Sequence, residues 1–131
     1  MLKMKKLSIE NLKMDESLKN PGVYKIYLFN QNLLTIQRFL KPDESGLIYI
    51  GAAEKTDLIY RLSCFLNTIK NEKQNNHSAG FKVKTNENLK SFLTQNTLMY
   101  DVILDLNAKK LEKNLIKKYK LEFGEVPPLN G

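Results

Sequence analysis

A chain of 131 residues, 42% hydrophobic and 9% aromatic, is long enough for one domain with a packed core, which excludes wholesale disorder. Its formal charge of +7 and pI of about 9.4 make polyanions the natural partners, nucleic acid first and an anionic membrane second, beside the plain alternative of a lysine-rich soluble surface. A single cysteine, Cys64, excludes an internal disulfide and a zinc cluster, no apolar run reaches the roughly 18 residues of a membrane span, and Met1–Lys13 lacks the apolar segment of a secretory signal, so an intracellular (cytoplasmic) setting is expected.

Residues 1–20 are mixed and lysine-rich and read as an N-terminal extension, in which Ser8–Leu12 starts a short helix or lies along a sheet edge. Pro21 marks the entry to the main domain, expected over residues 21–131. Its organising stretch is Gly22–Gly51. Val23, Lys25, Tyr27 and Phe29 fall on one face of a strand, and Tyr24, Ile26 and Leu28 on the other. Mostly apolar character on both faces places this strand inside the sheet. Asn30-Gln31-Asn32 is expected to turn tightly, because asparagine tolerates positive φ. Leu33–Leu40 is then a second strand, Pro42–Gly46 a second turn, and Gly46–Gly51 a third strand. The outcome is a three-stranded meander with Tyr24 and Tyr49 on neighbouring strands. Of the 21 basic residues only Arg38 and Arg61 are arginines. In a chain that uses lysine almost everywhere, arginine points to a need for fixed planar donors, above all toward phosphate.

After Gly51, Ala52 and Ala53 let a backbone turn pass close to a neighbour, and Thr56 or Asp57 can cap the next helix. That helix is expected from about Asp57 to Lys70, with Leu58, Leu62, Phe65, Leu66 and Ile69 as its buried stripe. Arg61 lies at the stripe's edge, either laying its stem over apolar surface with its head in water or aimed at a ligand. Residues 71–79 read as a polar loop holding His77, the only histidine. His77 is either solvated or, with a pKa near neutrality, a proton shuttle or phosphate contact. Phe81–Lys84 is short and basic. A second helix is expected over Glu87–Gln95, a strand over Leu98–Leu106, and a third helix from an Asn107 cap to about Leu121. Glu112 sits in the middle of that last helix's apolar face of Ala108, Leu111, Leu115, Ile116 and Tyr119. A carboxylate there needs a partner, either an internal cation such as Arg61 or a lysine, or a divalent metal.

Gly22-Val23-Tyr24 followed by Tyr49-Ile50-Gly51 resembles the signature of the GIY-YIG nucleases, with valine in place of the usual isoleucine. The resemblance extends in order to Arg61 on the following helix, His77 in the next loop, Glu112 on a later helix and Asn130 after a proline pair. It implies a small α/β (α+β) domain with a central antiparallel sheet flanked by helices. The tripeptides stand further apart than in the homing and excision-repair members. The hairpin insert at about 30–46 resembles the restriction-enzyme branch in length.

The activity implied is metal-dependent DNA endonuclease action, with Mg²⁺ or Mn²⁺ held by Glu112. Arg61 would contact the scissile phosphate. Tyr24 would take a proton from the attacking water once nearby cations, Arg61 and Lys55, lower its pKa. Tyr49 and His77 would orient the reactants, and Asn130 would position a phosphate or brace the site. Without the resemblance, Tyr24 and Tyr49 read as core aromatics. Lys55, Lys82 and Lys84 are candidate DNA contacts. Target choice would come from the insert, the N-terminal segment, a homodimer or a larger complex. The alternatives are a nucleic-acid-binding module of the same fold without catalysis, and a protein-interaction domain whose charge serves only solubility.

Overall fold

The computed structural model of the protein describes residues 4–70 and 76–131. Five strands form one antiparallel sheet: β1 (Lys5–Lys6), β2 (Gly22–Asn30), β3 (Asn32–Leu33), β4 (Leu47–Ala53) and β5 (Thr97–Leu104). Helices α1 (Ile9–Met14), α2 (Leu58–Lys70), α3 (Ser78–Lys84), α4 (Glu87–Thr94) and α5 (Ala108–Phe123) flank it. The α+β architecture expected from the sequence is the one adopted. No helix among the described residues is long and apolar enough to cross a membrane.

β2 lies inside the sheet, as its two apolar faces require. It pairs with β5 from Gly22↔Leu104 to Phe29↔Thr97 and with β4 from Gly22↔Ala53 to Tyr27↔Leu47. Its alternation separates two cores. Tyr24, Ile26 and Leu28 pack with Leu12 of α1, the α2 stripe, Ala79 and Val83 of α3, and Leu93 of α4. Val23 and Tyr27 pack with Leu47, Ile50 and the Ala108, Tyr119 and Phe123 face of α5. Residues before Pro21 join the first core. β1 pairs with β5 at Lys5↔Tyr100, Ser8 caps α1 by accepting the Asn11 N–H at 3.2 Å, and Leu12 and Leu18 are buried. Of the two alternatives expected for Ser8–Leu12, the short helix is the one adopted, and the sheet edge is taken by Lys5–Lys6 just before it.

The two long flanking helices follow the apolar period, but their starts differ. Asp57 caps α2, accepting the Tyr60 N–H at 3.1 Å. Asn107 was expected to cap α5 and makes no side-chain cap bond. The Lys109 N–H is instead taken by the Glu54 carboxylate at 3.1 Å, and Asn107's own N–H by Asp105 at 2.7 Å. Gly124, at φ 86°, ends α5 two residues later than the period suggested. The expected loop over residues 71–79 lies outside the described residues for 71–75. From Ser78 onward it is helix, so the basic stretch Phe81–Lys84 belongs to α3.

The insert corrects two expectations. Leu33–Leu40 is not a full strand: only Asn32–Leu33 pair with the tip of β2, followed by one bridge between Ile36 and Asp43. β4 already occupies β2's edge through Tyr27, so no room remains for a strand between them. At the first turn it is Gln31, not an asparagine, that takes positive φ, 63°.

Arg38 also has a different reason from phosphate. Its side chain is 11% exposed, meets the Glu125 carboxylate at 3.0 Å and donates to the Val126 carbonyl. Beside it, the buried Asp43 carboxylate accepts the Ser45 N–H at 2.9 Å and the Tyr119 hydroxyl at 2.6 Å. Together with Lys41–Glu122 at 2.9 Å, these contacts pin the insert to the end of α5. Tyr119→Phe leaves a buried charge short of one donor and is expected to lower stability by about 2 kcal/mol in urea unfolding. An unchanged midpoint would mean that Asp43 does not depend on that hydroxyl.

Candidate functional site

One cleft of ≈ 350 Å³ gathers Tyr24, Tyr49, Arg61 and Glu112 from four different elements. It lies where β4 runs out past Ile50, so that α2 and α5, on opposite faces of the sheet, can both reach it. Two local features of β4 put the tyrosines there. Between the pairs Ile26↔Tyr49 and Tyr27↔Leu47, β4 carries one extra residue, Ile48, and this bulge turns Ile48 and Tyr49 toward the same core as Tyr24. Opposite Tyr24 stands Gly51, whose missing side chain leaves the space Tyr24's ring fills: a Cβ there would lie 2.5 Å from the Tyr24 hydroxyl and 2.7 Å from the Tyr49 ring. The two rings end with centroids 5.9 Å apart.

Arg61 sits at the edge of α2's buried stripe, as its spacing indicated. It donates to the Asn76 carbonyl at 3.3 Å, which leaves further guanidinium donors available to the cleft. Glu112 comes from the partly buried side of α5 and closes no ion pair with any described residue. Burial raises its pKa above the ordinary carboxylate value, and the charges of Lys109, Lys113 and Arg61 only partly offset that. The internal-cation alternative for Glu112 therefore takes the form of distant attraction, not a salt bridge.

His77 is the largest departure from the sequence reading. It is not solvated but 1% exposed, caps α3, and lies with Nε2 2.8 Å from the Tyr24 hydroxyl. Phe65 and Tyr49 pack on its ring at centroid distances of 5.2 and 5.4 Å. Burial, aided by the Arg61 charge, pushes its pKa down to about 3, so it is neutral near pH 7 and not a shuttle poised at neutrality. The expectation that cations would lower the Tyr24 pKa is likewise corrected. Burial raises it, the neighbouring Tyr49 adds to the rise, and the opposing pull of Arg61 is too small to reverse it. Tyr49 is raised by burial and by the Glu112 charge.

Other expected residues divide. Lys55 lines the cleft. Asn130 does not. Its amide oxygen accepts the Ile50 N–H at 2.9 Å and its amide nitrogen donates to the Ile50 carbonyl at 2.8 Å, so it braces β4 next to the cleft instead of lining it. Lys82 and Lys84 lie on α3 away from the cleft lining. Lys82 reaches the carbonyls of Leu129 and Gly131, and the Lys84 ammonium stands 5.7 Å over the Phe81 ring. Glu54, Ser78 and Lys109 line the cleft without having been singled out in the sequence. For Glu54 a signal existed: an acidic side chain directly after the small-residue run Gly51-Ala52-Ala53.

Compared with protein families, curated proteins and solved structures, the chain matches none of them. What the cleft can do therefore follows from its own atoms. Its walls carry three cations, Lys55, Arg61 and Lys109, and two carboxylates, Glu54 and Glu112. Glu54 is engaged by the α5 backbone, so Glu112 is the carboxylate left for a bound cation. No group of three or more potential metal ligands occurs among the described residues, so a cation at Glu112 would draw most of its coordination from water and ligand. A larger groove of ≈ 690 Å³, walled by Leu34, Ile36, Leu89, Phe92 and Leu129, carries amides but no ionisable side chain and is unsuited to an anion.

Proposed function

We propose that the protein is a GIY-YIG-type endonuclease that hydrolyses phosphodiester bonds of DNA with one divalent cation, Mg²⁺ or Mn²⁺. The observation that carries this reading is the convergence of Tyr24, Tyr49, Arg61 and Glu112 on a single cleft from β2, β4, α2 and α5. These residues are scattered over positions 24 to 112 of the sequence, and the fold brings them to one place.

In the reaction, the oxygen of a water molecule bonds to phosphorus and gives up a proton, one P–O ester bond breaks, and the departing oxygen takes up a proton, so that protons balance overall. Charge accumulates on the phosphoryl oxygens, where preorganised cations and donors stabilise it most. Arg61 binds and orients the phosphate through its planar donors. Lys55 and Lys109 add positive potential at the walls. Glu112 would hold the cation, whose contribution is Lewis-acid stabilisation of that charge. Tyr49 closes one side of the cleft, and His77, Phe65 and the Asn130 brace keep the walls in place. The formal charge of +7 suits a polyanionic partner. Target recognition falls to the insert, a second copy or a larger complex.

The test is a cleavage panel of duplex, flap, junction and single-stranded DNA with Mg²⁺, with and without chelator, and with mapped cut sites. Chelator-sensitive cleavage of at least one substrate is expected. Salt-sensitive binding with no cleavage of any substrate would favour a binding module of the same fold. No binding even at low salt would overturn the nucleic-acid reading altogether.

A further inference from the structure

His77 joins α3 to the cleft through both of its ring nitrogens, and the two contacts together fix where its proton sits. Nδ1 accepts the backbone N–H of Gly80 at 3.2 Å, inside the first turn of α3. A ring nitrogen that accepts an N–H carries no hydrogen of its own, and neutral imidazole has only one to place. The hydrogen is therefore on Nε2. An imidazolium would set an Nδ1–H against the Gly80 N–H and break the cap. The groups facing the ring are Tyr24 from β2, Tyr49 from β4, Phe65 and Arg61 from α2 and Gly80 from α3. None of them is an anion that would favour the charged form.

Nε2 lies 2.8 Å from the Tyr24 hydroxyl oxygen. With the hydrogen on Nε2, the imidazole donates and the Tyr24 oxygen accepts. The hydroxyl's own hydrogen is then excluded from the His77 side. Two residues of the cleft also come within hydrogen-bonding reach of that hydroxyl: Arg61, which can only donate to it, and Tyr49. Its hydrogen thus turns to the cleft side, toward Tyr49 and whatever the cleft holds.

We propose that His77 is a fixed Nε2–H donor that turns the Tyr24 hydroxyl outward, making Tyr24 a hydrogen-bond donor to an anionic oxygen of the ligand. His77 is a positioning residue, and Tyr24 is the group that touches the ligand. The ligand half rests on the phosphodiester reading of the cleft; the tautomer half does not. The resting site is accordingly arranged to give a hydrogen to a phosphoryl oxygen, and not to receive one from water, as the family resemblance had suggested for Tyr24. It also accounts for the otherwise costly burial of a neutral histidine under α3: both of its nitrogens are satisfied only in this one arrangement.

His77 is the only histidine, so its ring can be observed without assignment. Long-range ¹H–¹⁵N correlation spectra of histidine-labelled protein are expected to show the Nε2–H tautomer, unchanged between about pH 5 and 8. The Nδ1–H tautomer, or titration to imidazolium in that interval, overturns the proposal. The ligand half is read by binding of a deoxydinucleoside phosphate to wild type and Tyr24→Phe. Removing the outward donor is expected to weaken binding about tenfold. Equal binding by both proteins overturns the outward donor even if the tautomer is right. No binding by wild type removes the phosphodiester reading and the ligand half with it, while the spectra still decide the tautomer.

Discussion

Glu112→Gln is expected to lower phosphodiester cleavage by about 10³-fold while leaving the fold as stable as before, or more stable. The substitution keeps the shape and one acceptor oxygen but removes the charge that would hold a cation. The stability arm follows from the direction of the carboxyl's shift. Burial raises the Glu112 pKa in the folded chain, more than Lys109, Lys113 and Arg61 lower it. The unfolded chain therefore ionises this group more easily. Stability is lost as pH rises from the unfolded to the folded pKa, and at neutral pH the ionised side chain counts against the native state. Glutamine removes that penalty. A residue whose charge the fold resists, and which no described cation neutralises directly, is a candidate for binding something outside the chain. Thermal unfolding and Mg²⁺-dependent cleavage of one preparation check both arms. Wild-type cleavage by Glu112→Gln sinks the cation assignment. A marked loss of stability shows that the carboxylate serves the fold, as the internal-cation alternative holds.

Much of the frame was legible because it rests on short-range periodicity. The alternation from Val23 to Leu28 sorts its apolar residues correctly between two cores, and every residue of the α2 stripe is buried. The positions of Tyr24, Tyr49, Arg61 and Glu112 were legible for a second reason, since each stands in a recognisable local pattern. Illegible features depend on contacts between distant residues. Leu33–Leu40 has strand composition, but whether it forms a strand was decided by β4 occupying the edge it needed. His77 looks solvated in a polar loop. Its burial depends on α3, a seven-residue helix whose Gly80 sits so close to α2 that a Cβ there would be 3.0 Å from Thr68. The Glu54 carboxylate caps a helix 55 residues away, and Arg38 closes the insert onto a segment 88 residues away. No pattern within a window of ten residues encodes such pairings.

Gly51→Ala is expected to damage the cleft more than any other single-methyl change, costing about 1–3 kcal/mol of stability and about 10²-fold in cleavage. The new Cβ would lie 2.5 Å from the Tyr24 hydroxyl oxygen and 2.7 Å from the Tyr49 ring, so both rings or the glycine's own backbone must shift. Neither moves freely. Tyr24 is 1% exposed and its hydroxyl is held by His77, while Tyr49 packs against both the Tyr24 and His77 rings. The glycine is required by this close approach and not by backbone conformation, since the left-handed residues among those described are Gln31, Gly46 and Gly124. Its cost should therefore depend on the ring it meets. In a Tyr24→Ala background the same Gly51→Ala change is expected to lose most of its effect on stability, because the two nearest obstructing atoms, both of Tyr24, are gone and only the Tyr49 ring remains; a double-mutant cycle reads the difference as coupling. If the two changes instead add, the clash is relieved through Tyr49, and the cleft owes its shape to the β4 bulge more than to the fit of Tyr24 over Gly51.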